Sequence, residues 1–297
     1  MGVGVQIVDG LHVEAKPWRH RKVVARTVEF SGASDGRTIK LSFSGQQPGS
    51  HFSPRHRHNF DQIRFFLSGH QQFGGLEYYG GDCGYFPEGV FYGPHGTVEG
   101  PSETVNMQTQ GPAWAPFMTR AKIEAAAEQL EQEGAFDREK GIFQWAGGRR
   151  QDSYEACWEK ASGTKVSYVK SDIKAPFLIR GRDVEWQPLA GVDGAEVKEF
   201  ASFNDIGPTL QMIRLQPGAA LLGGLSTGHH LATLIAGQVD YEGRQLARGH
   251  YFYYAPGCEF SELRAIDESV FTSVRYKVRA PMAPEPSTDE PRAVAVG

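Results

Sequence analysis

The chain has 297 residues, 22% of them charged, and a formal net charge of −4, a balance that leaves no electrostatic footprint for nucleic acid or an anionic membrane surface. Hydrophobic residues reach 40%, enough for packed cores. The three cysteines, Cys83, Cys157 and Cys258, are widely spaced and odd in number, which excludes a disulfide framework or a zinc ribbon and suits a reducing, cytoplasmic compartment. The first ten residues lack the apolar core of a signal peptide, and no apolar run is long enough to span a bilayer.

In chain order, the basic cluster Arg19, His20, Arg21, Lys22 and Arg26 reads as a solvated strand or arm. Residues 39–43, 62–67, 71–73 and 83–86 are short apolar runs bounded by Gly or Pro and are predicted strands. Residues 120–132 are rich in Ala, Glu, Lys and Leu, which predicts a helix, with Gly134 as its stop. A second helix is predicted from Asp152, whose side chain can cap it, with Glu155 three residues on and Gly163 closing it. Strands resume at 209–215, 231–235, 238–241 and 251–254. Residues 281–297 are rich in Pro, Ala and charge and are expected to be disordered.

The chain repeats itself at an offset of 168 residues. Gly69, Gly75, Gly81 and Gly89 meet Gly237, Gly243, Gly249 and Gly257, and Tyr85 meets Tyr253. Phe66, Leu67, Phe73 and Phe86 meet Leu234, Ile235, Tyr241 and Tyr254. Glycine serves where the backbone must take a positive φ, so four in register mean shared turns and shared sheet geometry. Many short strands at close spacing predict two β-barrels.

The chemistry concentrates in His56-Arg57-His58-Asn59-Phe60-Asp61-Gln62. Two histidines at i and i+2 of a strand share a face, so both imidazoles can reach one metal ion, and Gln62 can join them through its amide oxygen from the next strand or hydrogen-bond a bound water instead. Both histidines could equally be ordinary strand residues beside Arg55 and Arg57. Arg64 shares strand parity with Gln62, as an anchor for a substrate carboxylate or phenolate or as a salt-bridge partner at the barrel mouth. Asn106, Gln108 and Gln110 alternate along a predicted strand and form either a polar cavity wall or a solvated face. Cys83 reads as a small buried strand residue.

These residues resemble the cupin family. Its first motif sets two His one residue apart, a Glu after three more residues and a Gly after six more; His56, His58 and Gly69 match, with Gln62 in place of the Glu. Its second motif runs Gly, five residues, Pro, one residue, Gly, two residues, His. Gly81, Pro87 and Gly89 match, Tyr92 stands where the His belongs, and His95 follows three residues later. The later half, with residues 186–192 and Lys198, resembles cupins of the anti-sigma-factor and acetylacetone-cleaving type. The resemblance implies an all-β bicupin: two double-stranded β-helix (jelly-roll) barrels at 1–112 and 166–280, a helical bridge at 113–165 and the tail at 281–297.

The resemblance further implies one divalent metal (Fe, Mn, Ni or Zn) on His56, His58, Gln62 and either His95 or none; in the latter case Tyr92 lines the pocket as a hydrogen-bond donor or proton relay. The equivalent positions of the second barrel are Gly224, Ser226, His230 and Phe260, so the site is expected only in the first barrel. A neutral ligand set favours an anionic substrate such as an enolate, phenolate or carboxylate. The leading expectation is a dioxygenase acting on a small enolisable, phenolic or carboxylate substrate, with Tyr92 and Arg64 as candidate catalytic residues. The alternatives are a non-catalytic small-molecule-binding or regulatory cupin, a cupin isomerase or lyase on zinc or nickel, and a metal-independent isomerase or epimerase using His and Tyr as acid and base. No nucleic-acid or membrane partner is expected, and a homodimer is open.

Overall fold

Alternation along three strands decides the architecture of the first barrel. Ile39–Gln46 presents Ile39, Leu41 and Phe43 on one face and Lys40, Ser42 and Ser44 on the other. Phe60–Phe73 sets Ile63 and Phe65 against Gln62 and Arg64, and His95–Gln110 sets Val105 and Met107 against Asn106 and Gln108. The antiparallel register joins like to like. Leu41 and Ile63 flank Met107, Ser42 and Arg64 flank Asn106, and Lys40 and Gln62 flank Gln108. The apolar face packs outward, in one shared core with Leu210, Leu231, Tyr251, Tyr253, Val274 and Tyr276 of the second half. Burying such side chains is worth about 1.5–3 kcal/mol each, so this contact between the barrels is a principal source of stability. The polar face is left to line the first barrel's interior.

The computed structural model describes residues 5–17, 23–31, 35–47, 54–168, 173–203 and 207–278. The tail at 281–297, and the basic cluster apart from Arg26, lie outside them. The chain is all-β with two jelly-roll barrels of the cupin type. The first barrel's main sheet runs Phe177–Ile179, Cys83–Phe86, Phe60–Phe73, His95–Gln110, Ile39–Gln46, Val23–Phe30, Lys16–Pro17. The second runs Gln6–Asp9, His250–Tyr254, Gly228–Ala236, Ser269–Lys277, Thr209–Leu215, Ala195–Ser202, Gln187–Pro188.

Each sheet therefore takes an edge strand from the other half of the sequence. Gln6–Asp9 pairs with His250–Tyr254, and Phe177–Ile179 pairs with Cys83–Phe86. The boundaries drawn at 1–112 and 166–280 are each crossed by a strand. An edge strand satisfies its backbone on any compatible neighbour, and composition carries no trace of which one. Asp82 clamps the second exchange: it accepts from the Gly181 amide at 3.0 Å and pairs with Arg180 at 3.0 Å.

The repeat is geometric as well as sequential. Gly69 and Gly237 have φ of 79° and 83°, Gly81 and Gly249 of 93° and 100°, and Gly89 and Gly257 of 76° and 75°. The fourth pair differs: Gly243 is at 75° and Gly75 has no positive φ, although the residues before them, Glu242 and Gly74, match at 54° and 61°.

The bridge holds both expected helices, Arg120–Leu130 and Ser153–Ser162. Asp152 accepts from the Tyr154 and Glu155 amides, and Gly163 ends the second helix at φ 72°. It is not purely helical, however. A three-stranded sheet of Gly134–Asp137, Ile142–Trp145 and Arg150–Asp152 lies between the helices, so Gly134 opens a strand as well as following a helix. Leu130, Phe143, Ala156 and Cys157 give this unit its own small core. No helix among the described residues is long and apolar enough to cross a membrane.

Candidate functional site

The inward polar rows of the first barrel line a cavity of about 540 Å³. His56, His58, Gln62, Arg64, Tyr92 and His95 all reach it, so the structure brings every singled-out residue to one space. Backbone pairing explains part of this: His56 bridges Tyr92, with amide-to-carbonyl distances of 3.0 and 2.9 Å in the two directions. The ring centres of His56 lie 4.8 Å from His58, 5.6 Å from His95 and 4.4 Å from Tyr92. His95 stacks on Phe73, its partner across the strand pair, at 4.5 Å.

Each of two histidines has a hydrogen-bond partner at Nδ1, and that of His56 sets its tautomer. The Pro54 carbonyl, 2.7 Å from His56 Nδ1, holds a proton there and leaves Nε2 with its lone pair. The Tyr92 hydroxyl lies within hydrogen-bond distance of His58 Nδ1, at 2.9 Å. His58 is further held flat against Phe60 at 4.3 Å.

Arg64 is buried at the same depth. Its guanidinium stacks over Phe73 and Phe86, with centroid distances of 4.8 and 5.4 Å. With the Gln62 oxygen turned towards it, that oxygen accepts from Arg64 Nε at 3.0 Å and Nη2 at 3.1 Å. An amide nitrogen there would set donor against donor, so the oxygen belongs at that edge. The Tyr92 hydroxyl lies 3.4 Å from that same edge; the other edge, then the amide nitrogen, lies 2.7 Å from Gln108 Nε2, where the Gln108 amide must turn as well to present its oxygen. Burial pulls the Arg64 guanidinium below its ordinary value, opposed by the Tyr92 and Tyr78 hydroxyls. No carboxylate among the described residues pairs with Arg64.

Sequence reading missed half of the cavity. Lys40 and Ser42 were legible in principle, because they alternate with Ile39, Leu41 and Phe43. Phe117 and Tyr154 come from the bridge, which forms the cavity roof instead of serving as a spacer. Phe117 packs on Phe60 at 5.6 Å, and Tyr154 sets its edge on His58 at 4.7 Å while its hydroxyl donates to Asn59 Oδ1 at 2.7 Å. Glu155 ties this roof down, accepting from Arg57 at 3.1 and 3.2 Å and from the Tyr168 hydroxyl at 2.8 Å. Glu155→Ala is expected to lower stability by about 1–3 kcal/mol. It should also speed amide hydrogen exchange in Ser153–Ser162 ahead of the barrel strands, which mass spectrometry would read.

Other candidates resolve as packing. Cys83 is fully buried and its thiol is pushed up by desolvation, so it is no nucleophile. Gln110 accepts from the Thr38 amide at 2.9 Å, whereas Asn106 and Gln108 line the cavity. In the second barrel the corresponding interior is filled by Ala232, Leu234, Phe252, Tyr254 and Phe271. His229 faces outward and joins the halves, with Nε2 2.9 Å from Asp35 and Nδ1 2.9 Å from the Tyr253 hydroxyl. His230 faces inward, 3.0 Å from Ser273 Oγ.

No protein-family model matches the sequence, and no curated protein matches it. Solved structures do. A candidate dioxygenase from Nostoc punctiforme aligns with TM-score 0.59 at 12% identity, over 92% of this chain and 83% of its own. Oxalate decarboxylase from Bacillus subtilis, in its structure at pH 4.6, aligns with TM-score 0.57 at 15% identity, over 93% and 77%. Another structure of that decarboxylase, concerned with its Mn(II) centres, gives 0.58 at 16%, over 94% and 79%. At these identities the likeness is one of fold.

The decarboxylase of similar fold has Mn(II) centres, and the donors present here can be tested against a divalent ion. His56 suits a ligand, since its tautomer is fixed from behind. Gln62 does not: its oxygen already accepts from a guanidinium, and an ion there would meet a fixed positive charge. Two unit charges about 5 Å apart repel by about 3 kcal/mol at an effective dielectric near 20. Among the described residues, no three His, Cys, Asp or Glu side chains form a metal-holding group. As arranged, Gln62 therefore does not fit a divalent ion, whereas His56 does.

Proposed function

We propose that the first barrel binds a small organic anion, an enolate, phenolate or carboxylate, and moves a proton on it. One observation carries this reading: the Arg64 guanidinium is buried against the cavity with neutral partners, the Gln62 amide and the Tyr92 and Tyr78 hydroxyls. A guanidinium is matched by a planar anionic oxygen pair, which would restore the missing charge. Beside it, His58 Nδ1 can take the Tyr92 proton while Arg64 favours negative charge on the Tyr92 oxygen. The pair can then draw a proton from an acidic C–H or O–H and return it. That is isomerase or lyase chemistry, and it uses groups the chain supplies.

A second reading, the metal-dependent dioxygenase, is favoured by the His56 geometry: its Nε2 keeps the lone pair, and two more imidazoles lie close to the ring. It requires His58 to carry its proton on Nδ1, donated to the Tyr92 oxygen, so that Nε2 keeps its lone pair.

Calorimetric titration of chelator-treated protein with benzoate and acetate separates the two. Wild type is expected to bind, and Arg64→Met to weaken binding by roughly 10- to 100-fold, the 1.5–3 kcal/mol of a charged hydrogen bond. Equal binding by Arg64→Met would sink the proposal. Binding and O₂ uptake that return only with added divalent metal, and vanish in His56→Ala, would establish the second reading instead.

A further inference from the structure

The cavity changes character along its length, and the change points to the shape of its ligand. The inward face of Phe60–Phe73 runs Phe60, Gln62, Arg64 from mouth to interior. Four residues of strand separate Phe60 from Arg64, about 13 Å at the usual rise. At the inner end the neighbours of Arg64 across the sheet are Asn106 and then Ser42, all polar. On the bridge side Phe60 meets Phe117 and Tyr154, with Met118 and Ile123 on the same wall and the charged Arg120, Glu124, Glu128, Glu131 and Arg138 also lining the cavity. Phe117 also lies under Lys40, 5.6 Å from its ammonium, so the apolar wall reaches inward as far as the first polar row.

A cavity of about 540 Å³ exceeds what a lone carboxylate or a two-carbon diacid fills and falls in the range that holds larger organic ligands. We infer that the natural ligand is an acid with an apolar tail, its anionic head on Arg64 and its tail running outward beneath Phe117 and Tyr154. This rests on the anion-binding reading above and adds the tail. It also makes the bridge the specificity element: the barrel supplies the head-group site and the bridge supplies the tail wall. A small diacid gains nothing from that wall, and a charged tail would lose hydration against it.

The test is a titration of the full chain with straight-chain carboxylates from acetate to decanoate, and with phenylalkanoates, in wild type, Arg64→Met, Phe117→Ala and Ile123→Ala. Wild type is expected to bind about fourfold tighter per added methylene, the 0.8 kcal/mol of a buried CH₂, until the tail outgrows the cavity. Phe117→Ala and Ile123→Ala should flatten that slope while leaving acetate affinity unchanged, which also shows that the variants are folded. An aromatic tail preference would appear as phenylalkanoates falling above the straight-chain line. A flat wild-type series, with acetate still dependent on Arg64, overturns the tail and leaves the head-group reading standing. A slope that survives in both bridge variants overturns its placement under the bridge. A slope that persists in Arg64→Met supports the tail while overturning Arg64 as the anchor.

Discussion

Asp61→Asn raises the stability of this protein at pH 8 by about 3 kcal/mol, an unusual sign for a change at a hydrogen-bonded buried carboxylate. Asp61 is only 4% exposed and accepts from the Glu88 amide at 2.9 Å and from the Tyr85 hydroxyl at 3.0 Å. Burial pushes its pKa up from 3.8 to about 6, outweighing the help of those donors and of Arg37. Between those two values the folded state holds a proton that the unfolded state has released, so stability falls as pH rises through the window and stays lower above it. Asparagine keeps an acceptor for the Glu88 amide and offers an N–H to the Tyr85 oxygen without the charge.

His230 acts with the opposite sign. Desolvation lowers its pKa from 6.5 to about 3, so below 6.5 the unfolded state takes up a proton that the folded state refuses, and stability falls as pH falls. Part of His230 reaches the surface, which trims its effect to roughly 3 kcal/mol. The two groups offset each other between about pH 4 and 6, where the wild-type profile should be nearly level. Urea midpoints measured across about pH 4–8 should then rise steeply for Asp61→Asn and run parallel to wild type only above about pH 7. Parallel curves throughout would show that Asp61 is ionised without cost in the folded protein.

Gly181→Ala is expected to destabilise by about 3 kcal/mol or more, at or beyond the upper end for overpacking. A Cβ at Gly181 would overlap the carbonyl of Gly81, and neither side can yield easily. Gly81 sits in a turn at φ 93°, and Gly181 is held from both sides, its amide on Asp82 and its carbonyl on Lys198 at 2.7 Å. Relief requires lifting Phe177–Ile179 off Cys83–Phe86, which would undo one of the two exchanges that join the halves. Gly147→Ala, where the added methyl meets nothing within 4 Å, is the control and should be close to neutral. Denaturation midpoints give the size of the effect, and hydrogen exchange at 83–86 and 177–179 gives its place. A loss below about 1 kcal/mol would mean that the exchanged strand adds little to the first barrel.

Local pattern was enough to reveal the duplication, the caps of both bridge helices and the nature of the polar groups in the site. Three of the four repeated glycines take a positive φ in both copies, and Asp152 caps its helix through the Tyr154 and Glu155 amides. The resemblance to the two cupin motifs, with strand parity for Gln62 and Arg64, named His56, His58, Gln62, Arg64, Tyr92 and His95, all of which line one cavity.

Which face of each strand turns inward depended on packing between the halves. A period of two separates Lys40, Ser42, Arg64 and Asn106 from Leu41, Ile63 and Met107, but it does not say which set meets the interior. The apolar set found a larger apolar partner in the second barrel, so the polar set was left to the cavity, the reverse of a solvated sheet. The same packing placed Arg64 against Gln62, which turned an expected metal ligand into the partner of a cation. It also drew the bridge over the mouth, through contacts between residues as far apart in the chain as Asn59 and Tyr154 or Arg57 and Glu155, which no local pattern encodes.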